Sequence, residues 1–457
     1  MAEPGRKNGE APGPEAKNGE AATQEILEQV ESGPRSPDLP VARIAILLLC
    51  IAWSGYQLYI AYQPVNATIA RAWHLAFAIL LVYLAYPAYN EARPPFWVKL
   101  TRRIIPRAHP RRSLRRRIPP LDLALGAIAA ATVLYIWWDY EGIIMRQGLP
   151  STADVWVGVV MIMLLLEAAR RALGLALPIL GMIFLAYSFL GPYMPEFLRH
   201  RGIPLDYVIA DQYLSTTGIF GVPLGVSTDF VFLFVLFGAL LDRAGAGKYF
   251  IDVAFAGLGW MRGGPAKAAV VASGLTGMVS GSSIANTVTT GTFTIPLMKK
   301  VGLPAYKAAA VEVAASTNGQ LMPPIMGAAA FIMAEIIGIP YLDVVRAALI
   351  PALVSYIALF YVVHLEARKL DIKPIPRSEL PRLLKTFLGG LHYLLPIIVL
   401  VVYLVVLRRS AITSALFAIE ALAVIIVVQR PIIVWLAWWR AGHEPAPGQT
   451  LGLALRI

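Results

Sequence analysis

The sequence predicts an all-α polytopic membrane protein, and three observations carry that prediction. Of 457 residues, 57% are hydrophobic and 15% charged, against roughly 25% charged in an average soluble domain. Apolar runs recur at 41–62, 70–90, 119–138, 155–169, 176–195, 229–241, 345–363, 391–407 and 411–428, and a helix needs about 20 such residues to cross the hydrocarbon. Between 155 and 340 further runs are broken by Gly, Pro, Ser or Thr, for an expected total of about a dozen embedded segments whose backbone must be paired within helices.

Residues 1–38 are rich in Glu, Lys, Gly, Pro and Ala, and the KNGE of Lys7–Glu10 returns as Lys17–Glu20. Such a composition cannot bury a core and reads as a disordered tail. A four-span block is expected over 39–171. Ten Lys/Arg and no acid stand between Arg93 and Arg117, directly between two spans. That run reads as a cytoplasmic loop under the positive-inside rule, with contact to anionic lipid, and not as a nucleic-acid surface, because no aromatic-interleaved fold accompanies it. The tail is then cytoplasmic as well. The segment 139–154, with Asp139, Glu141 and Asp154 against Arg146 and with Trp137, Trp138 and Tyr140 beside it, suits an external loop at the membrane interface. No polar constellation lies inside these four spans, so the block reads as a support.

The block from 172 to 430 differs. A span at 176–195 leads into a more polar stretch at 196–228, and Phe230–Leu241 crosses back to Asp242-Arg243-Ala244-Gly245. Ser273–Gly291 (SGLTGMVSGSSIANTVTTG) then lies between two apolar stretches too short to span. Half-length helices meeting at a Gly/Ser tip, Ser280-Gly281-Ser282-Ser283, form a re-entrant hairpin over about 266–298. Irregular backbone at membrane depth is tolerated only where protein buries it or where it lines a cavity. The carbonyls and hydroxyls of the tip are hard oxygen donors suited to Na⁺, and half-helix N-termini offer donors to an anion. A second broken element, about 305–337, is interrupted at Thr317-Asn318-Gly319 and again at Pro323-Pro324, where regular helical bonding fails. Gly and Ser in such segments also serve close packing, and it is the pairing of both clusters that points to an ion and substrate site. Glu312 and Glu335 are embedded carboxylates, expensive unless paired or solvated, and both pairing and proton or ion coupling stay open for them. The segment 431–457, with Trp435, Trp438 and Trp439, reads as an interfacial and irregular end.

Cys50 is the single cysteine, and the six histidines are scattered without HxxxH or HExxH spacing. A disulfide within the chain and a thiolate cluster are excluded, Cys50 reads as a packing residue, and neither an enzyme nor a resident cofactor is expected.

The segments GKYFIDVAFAGLGWMRGGPAKAAVVASGLTGMVSGSSIANTVTTG (247–291) and AAAVEVAASTNGQLMPPIMGAAAFIMAE (308–335) resemble the large permease subunit of tripartite ATP-independent periplasmic (TRAP) transporters. The Ser-Thr-x-Gly-Gln-x-Met-Pro-Pro run is most similar to the TAXI subtype, in which small and large membrane subunits are fused, and 39–171 fits the small subunit by span count and position. The resemblance implies a multi-pass protein of the inner membrane. It implies Na⁺-driven uptake of a small organic acid handed over by a TAXI-type periplasmic solute-binding protein, with hairpin and broken helix moving as an elevator. Carried over by motif, Ser280, Gly281, Ser282, Ser283, Asn286 and Thr287 line the substrate and ion site with Thr317, Asn318 and Gly319 opposite, and Ser280, Gly281, Ser282, Asn286, Thr317 and Gly319 hold Na⁺. The family's large subunit carries two inverted repeats, and one is found here. The chain is therefore expected to resemble the small subunit plus about half of the large one, with a second polypeptide as a candidate to supply the rest. The other readings are a non-transporting or truncated scaffold, and a carboxylate or ion transporter that works without a binding protein.

Overall fold

The computed structural model of the chain describes residues 35, 37–89, 117–146 and 148–440. Nearly all of the N-terminal tail, the basic loop up to residue 116 and the end beyond residue 440 lie outside the described residues. Within them the secondary structure is helical, with no strand. Eight helices are long and apolar enough to cross a membrane, and a bent pair, Arg377–Gly389 with Leu391–Val406 at 53°, makes a ninth candidate.

The first four spans are α1 (Pro40–Tyr62), α2 (Ala67–Ala85), α3 (Pro120–Trp138) and α4 (Thr152–Leu173). Each start has a local cause. Proline opens α1 and α3, where its missing N–H costs nothing. Asn66 accepts from the Thr68 and Ile69 amides at 3.0 and 3.4 Å at the head of α2. Ser151 and Asp154 form a capping box for α4. Small residues let α2, α3 and α4 approach, around a core that includes Ala72, Ala76, Ala129, Tyr83 and Met161. At one end of the bundle Asp122 accepts from Arg35 at 2.7 Å and Arg171 at 2.9 Å. At the other, Arg146 joins Asp139 at 2.6 Å and Asp154 at 3.1 Å. The stretch read as a polar connector, 196–228, is more structured than its charge suggests. Ile209, Tyr213 and Phe220 from it complete this same core, and the Tyr213 hydroxyl donates to the Thr132 carbonyl.

The remaining elements are α5 (Ala176–Leu190), α6 (Val222–Ala244), α7 (Ala246–Leu258), α8 (Gly264–Ser280), α9 (Ser283–Lys300), α10 (Ala305–Gly319), α11 (Ala328–Ile337), α12 (Tyr341–Lys369) and, after the bent pair, α13 (Ala411–Arg440). A second apolar core joins α6, α11, α12, α13 and the second arm of the bent pair, with Phe237, Leu241, Leu400, Ala415 and Ala418 at its centre. Phe331 stacks against Phe230 and Tyr341 within it, at centroid distances of 5.3 and 4.3 Å. The α1 helix ties the two cores together: Trp53 packs on His74 of α2 and Phe232 of α6. Cys50, expected to pack, is exposed on α1.

Two boundaries shift from the sequence reading. The helical hairpin expected over about 266–298 is α8 plus α9, Gly264–Ser280 and Ser283–Lys300. The broken element is α10 plus α11, and its helix runs through Thr317–Gly319 before breaking at 320–327. Proline removes the bond its own N–H would make and crowds the carbonyl four residues back. Pro323 and Pro324 would reach back to Gly319 and Gln320, so the turn ending at Gly319 stays intact.

Candidate functional site

The hairpin and the broken element meet in two places. At the tip Gly281 closes α8 with φ +63°, and a Cβ there would stand 2.9 Å from the Met326 carbonyl oxygen in the break. Only glycine both adopts that backbone freely and leaves the room. Ser282 starts α9, its hydroxyl accepting from the Ala285 amide at 3.3 Å. Deeper in the bundle α8 crosses α10 at Gly277 and Gly319. A Cβ on Gly277 would lie 2.7 Å from the Gly319 Cα, so the two backbones are as close as helices allow.

That proximity assembles a polar seam from residues three or four apart on their helices, and hence on one face of each. Asn286, Thr290 and Thr294 come from α9; Glu312 and Ser316 from α10; Ser273 and Thr276 from α8. The Asn286 amide donates to the Ser273 carbonyl and hydroxyl, both at 2.9 Å, and to the Ser316 hydroxyl at 3.3 Å. Its own oxygen accepts from Thr276 at 2.6 Å. Ser273 and Ser316 hydroxyls lie 2.9 Å apart. Glu312 is fully buried, and its carboxyl oxygens contact the hydroxyls of Thr290, Thr294 (2.5 Å) and Ser316 (3.2 Å). Satisfied polar networks of this kind fix one arrangement, since each unpaired member would carry the cost of burial.

A cavity of about 540 Å³ opens between the hairpin and α6–α7, lined by Thr276, Ser280, Ser282, Asn286 and Thr289 on the hairpin and by Asp242 and Arg243 opposite. The volume suits a small organic molecule. One wall carries neutral oxygens, and the other carries Asp242 and Arg243. Among the described residues no three of His, Cys, Asp and Glu converge where a metal ion could sit, so the donors available at the tip are hydroxyl, amide and main-chain oxygens.

The site residues expected from sequence divide accordingly. Ser280, Gly281 and Ser282 sit at the tip, with Ser280 and Ser282 on the cavity and Gly281 against the break. Asn286 lines the cavity and anchors the seam, and Gly319 forms the crossing with Gly277. Ser283 and Thr287 are half-buried on α9, the Thr287 hydroxyl donating to the Ser283 carbonyl at 2.8 Å. Asn318 is half-buried, while Thr317 is exposed with its hydroxyl returned to the Val313 carbonyl at 2.7 Å. Glu335 is exposed. Sequence reasoning passed over Ser273, Thr276, Thr290, Thr294 and Ser316, and read Asp242-Arg243 as a helix end. The four-residue spacing of polar groups on α9 and α10 was the signal available for the seam.

Residues 160–434 match the family described as "Tripartite ATP-independent periplasmic transporter, DctM component". Among curated relatives, the C4-dicarboxylate TRAP transporter large permease protein DctM of Pseudomonas aeruginosa is 33% identical over 147 residues, covering 32% of this chain and 34% of that protein. The protein of the same name from Vibrio cholerae is 32% identical over 145 residues, 32% of this chain and 31% of its own. The 2,3-diketo-L-gulonate TRAP transporter large permease protein YiaN of Escherichia coli is 22% identical over 206 residues, 45% and 48% of the two chains. The alignments thus span between 31% and 48% of these relatives' lengths. The family match begins inside α4, takes in the hairpin, the break and the seam, and extends over more than half of the sequence, so this integral membrane protein belongs to the TRAP transporter large permease family.

Proposed function

We propose that the chain is the permease component of a TRAP-type secondary transporter of the TAXI kind in the inner membrane, with its first four spans standing in for a fused small subunit. In this reading a periplasmic binding protein delivers a small organic acid, and Na⁺ entering with it drives an elevator movement of the hairpin and broken helix. A second polypeptide completes the substrate cavity where this chain supplies one repeat. The observation that supports it most directly is the junction of hairpin tip and helix break beside a cavity with both hard oxygens and a charged wall. Na⁺ would be held by oxygens of Ser280, Gly281, Ser282 and Asn286, with Thr317 and Gly319 contributing main-chain carbonyls from α10. The names of the DctM and YiaN relatives make oxygenated organic acids the class to try first.

The test is uptake into proteoliposomes containing the full chain, with a cognate binding protein loaded from a panel of labelled organic acids, with and without a co-reconstituted second permease half. Na⁺-gradient-dependent uptake that disappears in the Ser282→Leu, Asn286→Leu double variant is the expected result. Sodium-independent uptake, or full activity of that variant, would overturn the ion assignment, and no uptake in either arm would overturn the transport assignment.

A further inference from the structure

We propose that Glu312 is a site for an exchangeable proton, held shut in this arrangement by the Asn286 amide. The proposal deepens the transport reading by giving the hairpin–break junction a second coupling ion. An ionised carboxylate taken out of water costs several kcal/mol unless a cation offsets it. Glu312 is fully buried, and among the described residues no cationic side chain pairs with it. The titratable groups on the surrounding helices are turned to other partners. Lys267 of α8 lies 3.1 Å from His364 of α12, Lys307 of α10 pairs with Glu366 of α12, and Lys299 and Lys300 of α9 are exposed. Tyr356 of α12 donates to the Ala315 carbonyl at 2.8 Å.

Counting hydrogens shows why the site can hold either protonation state. Each hydroxyl around Glu312 has one hydrogen and two acceptors within reach. Thr290 faces both Glu312 and the Asn286 carbonyl at 2.7 Å; Thr294 faces Glu312 at 2.5 Å and the Thr290 carbonyl at 3.0 Å. Ser316 faces Glu312 at 3.2 Å and the Ser273 hydroxyl at 2.9 Å. With Glu312 ionised, all three hydrogens turn to the carboxylate. With Glu312 neutral, the O–H on its Oε1 donates to Ser316, which donates onward to Ser273, and no heavy atom has to move. The exit is equally specific. A proton leaving Glu312 passes to Ser316 as Ser316 gives its own to Ser273, and Ser273 must then pass one to water in the cavity. The Asn286 amide occupies that last place, since it donates to both Ser273 and Ser316 and cannot accept. Asn286 also lines the cavity, so a ligand that draws its side chain aside opens the path.

Infrared spectroscopy of the full chain reconstituted in liposomes reads the protonated carboxyl directly. The expected result is a carbonyl band of a buried neutral acid that is lost in Glu312→Gln, an isosteric variant that preserves the packing. In the wild type the band should fall as the pH is raised, as one titrating group. Its deuterium shift should set in several-fold faster in Asn286→Ala than in the wild type. A wild-type spectrum with no such band, a band that persists in Glu312→Gln, or one that ignores pH in both wild type and Asn286→Ala overturns the proposal. Because this readout needs no transport, a titrating band without any uptake would support the proton site while removing the transport reading.

Discussion

The crossing of α8 and α10 can be tested with one methyl group. In Gly277→Ala the new Cβ would lie 2.7 Å from the Gly319 Cα and 3.0 Å from the Asn286 amide nitrogen. The first neighbour is backbone and cannot turn away, and reaching ordinary contact at 3.4 Å means parting the helices by about 0.7 Å. The Ser273–Ser316 bond, now 2.9 Å, is then stretched beyond hydrogen-bonding range, and the Asn286–Ser316 bond at 3.3 Å goes with it. Overpacking of this kind costs about 1–3 kcal/mol, and each lost bond adds about 1 kcal/mol. The better helix propensity of alanine returns about 1 kcal/mol. The net expectation is a loss of about 2–4 kcal/mol.

Thermal unfolding in detergent, followed by tryptophan fluorescence, measures the effect against Gly55→Ala as a control. Gly55 lies in the middle of α1 with nothing within 4 Å of its would-be Cβ, so alanine there should leave Tm equal or slightly raised. Gly277→Ala should lower Tm clearly and abolish uptake in the proteoliposome assay. Equal Tm values for the two variants, with uptake intact in both, would refute the claim that backbone contact between α8 and α10 sets the seam.

Three further outcomes follow from the geometry. Thr317→Val should change stability by no more than about 0.5 kcal/mol and keep Na⁺ dependence, because the hydroxyl is exposed and serves its own helix; loss of Na⁺ dependence would place that hydroxyl in the ion site. Asp122→Asn should cost about 1–3 kcal/mol, read as a fall in Tm, since Arg35 and Arg171 at 2.7 and 2.9 Å would lose a charged acceptor while Arg171 keeps Glu167 at 2.8 Å; an unchanged Tm would show this ion pair to be dispensable. His74→Ala should cost about 2–4 kcal/mol. The Nδ1 of His74 receives Gln57 at 2.6 Å and Trp53 at 3.3 Å, leaving Nε2 to donate to Ser227 at 3.1 Å. A Tm equal to the parent's would show that this junction of α1, α2 and α6 is dispensable.

How much of this was legible depended on whether the signal was local. Span positions follow from runs of apolar residues, and the hairpin follows from two half-length runs around Ser280–Ser283, so both were readable within a few residues at each end. The end of α10 was misplaced by one turn because Thr317-Asn318-Gly319 looks like a break by composition, whereas the bonds removed by Pro323 and Pro324 lie further on. Glu312 could be marked as costly, yet its partners Thr290 and Thr294 stand on a different helix, and which faces meet is decided by the Gly277–Gly319 approach. Asp242 and Arg243 were hidden for a similar reason: only the return of the hairpin toward α6 brings the end of that helix to the cavity. The 196–228 stretch shows the converse error, where an average polarity masked Ile209, Tyr213 and Phe220 as core residues.

The distribution of directional bonds also bears on where the structure can shear. The seam knits α8, α9 and α10 through hydrogen bonds with fixed vectors, and α12 joins them through Tyr356 to Ala315, Lys267 to His364 and Lys307 to Glu366. Toward α7, Ala268 and Ala272 of α8 pack against Ala254 with Ile251, Phe255, Leu258 and Val271 around them, and toward α6 the Val279 carbonyl and Ser280 Cα press on Gly238. These apolar contacts carry no directional bonds, so a shift along them forfeits dispersion and packing but leaves no buried polar group unpaired. Breaking the seam would instead expose several buried polar groups at once, at about 1–3 kcal/mol each. Under the proposed elevator movement the dividing surface would fall between the hairpin and α6–α7, beside the 540 Å³ cavity, and Glu312 would travel with the seam.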